Sequence, residues 1–238
     1  MKTAGWRSML LYGCMLALCQ PLAGCGSADA PAAPKGDGAS HAQAAPAIPA
    51  HAPLVIAFGD SLYAGYQLGP KEGLAPQLQA ALTADGVVAR VQNAGVSGDT
   101  SAAGRQRLAY VLDNARQKPA LVLLGLGGND MLRGIGPDQT RANLDAMLAE
   151  LKRRDIPVLL TGMMAAPNLG SDYEKKFNPI YPDLAAKYGV SFYPFILDDV
   201  VTDPSLMLAD HLHPNAKGVK IVVQGLAPLV EAALPAAG

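Results

Sequence analysis

The chain has 238 residues, enough for one ordinary domain and a leader. It is 50% hydrophobic and 16% charged, which excludes a globally disordered chain. The net charge of -1 gives no electrostatic footprint for a nucleic-acid partner, and none is implied.

Lys2 and Arg7 precede an apolar stretch from Met9 to Leu18. This is a secretory pattern, too short for a membrane span of about 20 residues. It ends in Leu22-Ala23-Gly24-Cys25, which resembles the lipobox of bacterial lipoproteins. Residues 1–24 are therefore expected to be a lipoprotein signal peptide, with Cys25 lipidated and left as the new N-terminus. Cleavage after Ala28-Asp29-Ala30 is the competing reading. Gly26 stands where a retention aspartate would be. The expected location is thus the periplasmic side of a bacterial membrane, as an outer-membrane lipoprotein. All three cysteines fall at or before position 25, so the mature domain has no disulfide and no cysteine nucleophile. Residues 25–52 are rich in Ala, Pro, Gly and Ser and read as a flexible tether, with His41 and His51 solvated in it. Residues 53–238 are the expected catalytic domain.

In chain order, Leu54-Val55-Ile56-Ala57-Phe58 reads as a buried strand over 54–58, followed by Gly59-Asp60-Ser61-Leu62. A helix is predicted over 72–84, closed by Asp85-Gly86. A strand over 87–92 leads into a polar turn from Asn93 to Thr100. A helix over 100–116 is followed by a strand over 120–125 and the turn Gly127-Gly128-Asn129-Asp130. The next helix, 138–153, ends in Lys152-Arg153-Arg154, cations that complement a helix C-terminus. Pro157 opens a strand over 157–161. A single helix is predicted over 172–188, then a strand near 190–193 and a last helix over 215–233. The apolar runs lack alternation, as buried parallel strands do. Strands alternating with helices predict a doubly wound α/β sandwich around a parallel sheet, with ligands beyond the carboxyl ends of the strands.

The polar turns carry the chemistry. A serine becomes nucleophilic when a base takes its proton, and the base works best when a carboxylate fixes its tautomer. Ser61 supplies the first part, although serine after a strand is also a favoured helix cap. Tyr63 stands where the G-x-S-x-G elbow needs glycine, which disfavours the α/β-hydrolase family. Past the tether only His211 and His213 remain as candidate bases. His213 follows Asp210 by three residues, a spacing that brings both side chains to one side of a turn. His211, adjacent to Asp210, is expected to point elsewhere. Pro214 suits the first position of the terminal helix. A metal bound by Asp210, His211 and His213 would need a second ligand cluster, and none is evident; no metal or cofactor is implied. An oxyanion needs preorganised donors. Gly98 offers a backbone N–H, and Asn129 a side-chain amide, with Gly127 and Gly128 letting the backbone turn closely. The run Gly125-Leu126-Gly127-Gly128-Asn129-Asp130 is not a dinucleotide fingerprint, since the third glycine is missing and no helix is expected to start within it.

Four blocks in order, Gly59-Asp60-Ser61-Leu62, Gly98 within Val96-Ser97-Gly98-Asp99-Thr100, Gly127-Gly128-Asn129-Asp130 and Asp210-x-x-His213-Pro214, resemble those of the GDSL/SGNH hydrolases. The likeness covers most of 54–233. It is closest to the thioesterase I/lysophospholipase/arylesterase branch. Ala165-Ala166-Pro167-Asn168-Leu169-Gly170-x-x-Tyr173 is similar to that branch's substrate-side loop; Met163-Met164-Ala165-Ala166 departs from it. The resemblance implies a three-layer α/β/α sandwich with a parallel five-stranded sheet, flavodoxin-like. It implies Ser61 as nucleophile, His213 as general base and then acid, and Asp210 as its orienting carboxylate. The oxyanion hole would be formed by the N–H groups of Ser61 and Gly98 and the Asn129 amide. Asp60 would be structural, with Thr100 and Asp130 supporting.

The expected protein is an exported, lipid-anchored serine esterase acting on aryl or alkyl esters, lysophospholipids or thioesters, with no cofactor. Leu62, Tyr63, Met131, Leu132, Pro167 and Leu169 are the expected lining of an acyl groove. Two rivals are a deacetylase of glycans or peptidoglycan, which would strongly prefer acetyl groups, and a non-catalytic envelope-binding lipoprotein, which would bind without turnover.

Overall fold

The computed structural model describes residues 48–234; the expected signal peptide, Cys25 and the expected tether up to residue 47 lie outside them. Five strands, β1 (Leu54–Gly59), β2 (Arg90–Gly95), β3 (Leu121–Gly125), β4 (Val158–Thr161) and β5 (Ser191–Tyr193), pair in parallel in the order β2-β1-β3-β4-β5. The order reverses between β1 and β3, the switch point where ligands bind in doubly wound sheets. The helices are α1 (Ser61–Ala64), α2 (Leu74–Ala84), α3 (Ser101–Asp113), α4 (Gly128–Leu132), α5 (Pro137–Arg153), α6 (Ser171–Phe177), α7 (Ile180–Tyr188) and α8 (Ala216–Ala233).

The layers follow from the two-residue period of the strands. Leu54, Ile56, Phe58, Val122 and Leu124 point to one face, where α3, α5 and α7 cover them through residues such as Leu108, Leu144 and Ile180. Val55, Ala57, Leu121 and Leu123 point to the other, under α2 and α8, which bring Leu78, Leu82, Val222 and Leu226. Strands β1, β3 and β4 are buried throughout, so their sequences are almost wholly apolar. The described end of the expected tether already lies on the domain: Ala52 is buried and its carbonyl accepts from Gln117 Nε2.

Three expectations change. Strand β2 begins at Arg90, three residues later than predicted. The apolar Val87 closes α2 instead, in a Schellman turn: Gly86 has φ +75°, Gly86 N–H donates to Thr83 O, and Val87 N–H donates to Leu82 O. As an edge strand, β2 is only partly covered, so its Arg90, Gln92 and Asn93 carry no strong apolar signal. The single helix predicted over 172–188 is two helices, α6 and α7, broken at Asn178-Pro179, because proline has no N–H to continue the ladder. A short helix, α4, does start inside the glycine run after β3.

At the carboxyl edge, Gly59 of β1 pairs with Gly95 of β2 and with Gly125 of β3. This row of glycines is the floor on which α1 rests. A Cβ on Gly95 would run into the backbone of Ala64 and Tyr63; one on Gly59 or Gly125 would meet Tyr63 itself. The Tyr63 side chain fills the space and its hydroxyl pairs with Thr161 Oγ1 at 2.7 Å. Replacing Gly95 with Ala places the new methyl against backbone that cannot yield. A loss of about 2–3 kcal/mol is expected, measured as a lower urea midpoint at unchanged slope.

Candidate active site

The strand ends place three loops around one point: Ser61 after β1, Ser97–Asp99 after β2 and Gly128–Asn129 after β3. Asp60, not Ser61, caps α1, with its Oδ1 accepting from Leu62 N–H at 3.2 Å. That frees the Ser61 hydroxyl. It donates to His213 Nε2 at 2.8 Å, across 152 residues of chain.

His213 is oriented from behind. Its Nδ1–H donates to Asp210 Oδ2 at 2.7 Å, so Nε2 is left as the acceptor facing Ser61. The other carboxylate oxygen, Oδ1, takes the N–H groups of Leu212 and His213 at 2.9 and 3.0 Å. Both oxygens of Asp210 are thereby committed. Desolvation alone would raise this carboxyl, but the N–H of Leu212, the imidazole and the N–H of His213 outweigh it and bring the pKa down to about 2. Asp210 is therefore ionised at any pH at which the enzyme would work. His211, between them, has φ +56°, which bends the chain; it is exposed at the rim of the cleft and takes no part in the hydrogen bonds that join Ser61, His213 and Asp210. Pro214 is not the first helical residue. It pairs with Met207 in an antiparallel bridge, and Asn215 caps α8 by accepting from the N–H of Lys217 and Gly218. The Tyr66 ring lies 4.7 Å from the imidazole, centre to centre, a buttress that sequence reading did not assign.

The oxyanion candidates flank Ser61. Gly98 has φ +85°, a conformation that favours glycine. Asn129 Nδ2 donates to Asp99 O at 3.0 Å and lies 3.5 Å from Asp60 Oδ2. Beside it, the fully buried Asp130 accepts from Ser101 N–H at 2.7 Å, from Ser101 Oγ, and from Thr140 Oγ1 at 3.1 Å. It ties α4 to α3 and α5, and thus holds Asn129 in place. Among the described residues no cluster of His, Cys, Asp or Glu is arranged to hold a metal ion.

A cleft of about 670 Å³ opens over Ser61 and His213. Leu62, Met131, Leu132 and Pro167 line it, as do Met163 and Met164. Tyr63 and Leu169 do not. Tyr63 lies two residues beyond Ser61, on the opposite side of the helical turn, and is core. Leu169 shares a 3₁₀ turn with Pro167, and two positions along such a turn diverge by about 120°. The far wall, Phe195, Leu197, Val201 and Leu212, comes from irregular segments after β5 and carried no periodic signal.

Residues 57–221 match the model of the GDSL-like Lipase/Acylhydrolase family. Esterase TesA of Pseudomonas aeruginosa is 40% identical over 165 residues, 69% of this chain and 81% of the relative. The Thioesterase 1/protease 1/lysophospholipase L1 of Escherichia coli is 36% identical, over 75% of this chain and 83% of its own. Among solved structures, AlinE4, described as an SGNH-hydrolase family esterase, is 50% identical. It superposes with a TM-score of 0.66 over 78% of this chain and 98% of that one. The chain belongs to the GDSL-like lipase/acylhydrolase family.

Asp60 gives a test of the site's electrostatics. Burial raises its carboxyl to about 6, against the lowering effects of Leu62 N–H, His213 and its own N–H. A raised folded-state value favours the neutral acid. Its contribution to stability is complete below the unfolded value of about 3.9 and is lost as pH rises through about 6. Asp60→Asn stays neutral and lacks that slope. Between about pH 4.5 and about pH 7.5, urea unfolding should show the variant gaining about 2 kcal/mol relative to the parent.

Proposed function

We propose that this chain is a serine carboxylic-ester hydrolase in which Ser61 is the nucleophile, His213 the general base and then acid, and Asp210 its orienting carboxylate. The observation that carries this reading is the continuous chain of hydrogen bonds, Ser61 Oγ to His213 Nε2 at 2.8 Å and His213 Nδ1 to Asp210 Oδ2 at 2.7 Å. Ser61 Oγ attacks the ester carbonyl as Nε2 takes its proton. The N–H groups of Ser61 and Gly98 and the Asn129 amide receive the developing oxyanion. The imidazolium then protonates the leaving alcohol or thiol, and an acyl-Ser61 ester remains. Water, deprotonated by the same nitrogen, releases the acid and restores the serine.

The substrates we infer are aryl or alkyl esters and lysophospholipids, with thioesters as further candidates. The cleft supports acyl groups longer than acetyl, since its volume of about 670 Å³ far exceeds an acetyl group and its walls are mainly apolar. Leu132, Met164, Val201 and Leu212 reach from the cleft to solvent, which suits an amphiphile with one end dry. That wall argues against the deacetylase reading. We further infer export through residues 1–24 and a lipid anchor on Cys25, resting on the leader pattern.

The test is a p-nitrophenyl ester series, from acetate to long acyl chains, with the domain and its Ser61→Ala variant. Turnover should favour medium or long chains and fall by at least about 10⁴-fold in the variant, with unfolding unchanged. Substantial activity without the Ser61 hydroxyl would refute the assignment, and a sharp preference for acetate would refute the substrate class.

A further inference from the structure

Arg107 is the most heavily engaged side chain near the site for which the chemistry above has no use. It projects from α3, yet its guanidinium reaches three separate segments at the carboxyl edge of the sheet. Nε donates to Asp99 Oδ2 at 2.5 Å, Nη1 to Ala94 O at 2.8 Å, and Nη2 to Gly59 O at 2.9 Å. Its flat face lies over the Phe58 ring, 3.9 Å from the centroid. Both members of the ion pair are largely sheltered, with side-chain exposures of 20% for Arg107 and 12% for Asp99.

Each contact lies on a segment that leads to a group in the proposed reaction. Gly59 O belongs to the strand end that leads into Asp60-Ser61. Ala94 O belongs to the end of β2, where the loop carrying Gly98 departs. Asp99 follows Gly98, and its carbonyl accepts from Asn129 Nδ2 at 3.0 Å. One residue, Asp99, thus stands between the Arg107 guanidinium and the two loop-borne oxyanion donors. A second arginine works on the same loop from outside, as Arg133 Nη2 donates to Gly98 O at 2.7 Å.

We propose that Arg107 is a positioning residue for the oxyanion hole: through Asp99 it sets the Gly98 N–H and the Asn129 amide at a fixed distance from Ser61. The residue type follows from the geometry. Three acceptors on three segments, two of them carbonyls, need a rigid planar fork of donors stacked on an aromatic ring, which a lysine ammonium does not provide. Arg107 does not touch the Ser61–His213–Asp210 chain. Its loss should therefore leave the pH dependence of turnover and ground-state binding alone and act on transition-state stabilisation.

The proposal rests on the serine-esterase reading, so the experiment normalises for it. The functional serine is titrated by the p-nitrophenol burst, and kcat is expressed per titrated serine. The unaltered enzyme's burst establishes the acyl-enzyme independently of Arg107. In Arg107→Met, which keeps the stem on Phe58, kcat per titrated serine should fall about 10- to 100-fold. KM should stay within about twofold, and the apparent pKa of the rate profile should not move. Asp99→Asn, which keeps the shape and removes the charge, should show the same pattern more mildly and serves alone if Arg107→Met does not fold. The double variant should be no worse than Arg107→Met, because the two act as one unit. A kcat per titrated serine within about twofold of the parent in a folded variant would overturn the proposal, as would losses that multiply in the double variant.

Discussion

The close approach of α1 to the sheet edge is the constraint on which the site depends. Ser61, the proposed nucleophile, is carried by a four-residue helix that has little structure of its own. It is held because Gly59, Gly95 and Gly125, in register on three neighbouring strands, let the helix backbone rest on the sheet. Tyr63 then reaches beneath it to Thr161 on β4 and locks it from the core side. The first residue of that helix, Ser61, faces the cleft, while Tyr63 faces the core. Asp60 supplies the cap, so the serine hydroxyl need not.

The other site residues arrive by a different route. Asp210 and His213 lie in an irregular segment after β5, where no helix or strand fixes them. Their geometry comes from polar contacts: one carboxylate accepts two backbone N–H groups and an imidazole N–H. Met207 and Asn215 close the segment at its ends. The proposed oxyanion side is also built from charge and hydrogen bonds, with Asp130 under Asn129 and the Arg107–Asp99 pair beside Gly98. An apolar core thus carries Ser61, and polar networks carry the groups proposed to act on it.

The buried strands β1, β3 and β4 were legible because strands covered on both faces must be apolar at every position. Edge strand β2 was read three residues early because Val87 is apolar for another purpose, closing a helix. The helices α1 and α4 were invisible to periodicity, since four or five residues do not complete two turns. Ser61, Gly98, Asn129, Asp210 and His213 stood out in the sequence as reactive or turn-forming residues at strand ends and before a helix. Their meeting in space was not readable there. The apolar lining was only partly readable. Leu62 and Met131 face the cleft while Tyr63 does not, and that choice depends on helical phase within a turn too short to predict. Phe195, Val201 and Leu212 gave no signal, because an irregular segment has no period to reveal which side is buried.

The most direct measurement is a crystal structure of the enzyme after inactivation with a p-nitrophenyl alkylphosphonate. Phosphorus should be bonded to Ser61 Oγ, with the phosphoryl oxygen within hydrogen-bond reach of Gly98 N–H and Asn129 Nδ2. The alkyl chain should lie along Met131, Met163 and Pro167. A phosphonate on any other residue, or a phosphoryl oxygen turned away from Gly98 and Asn129, would contradict the proposed roles.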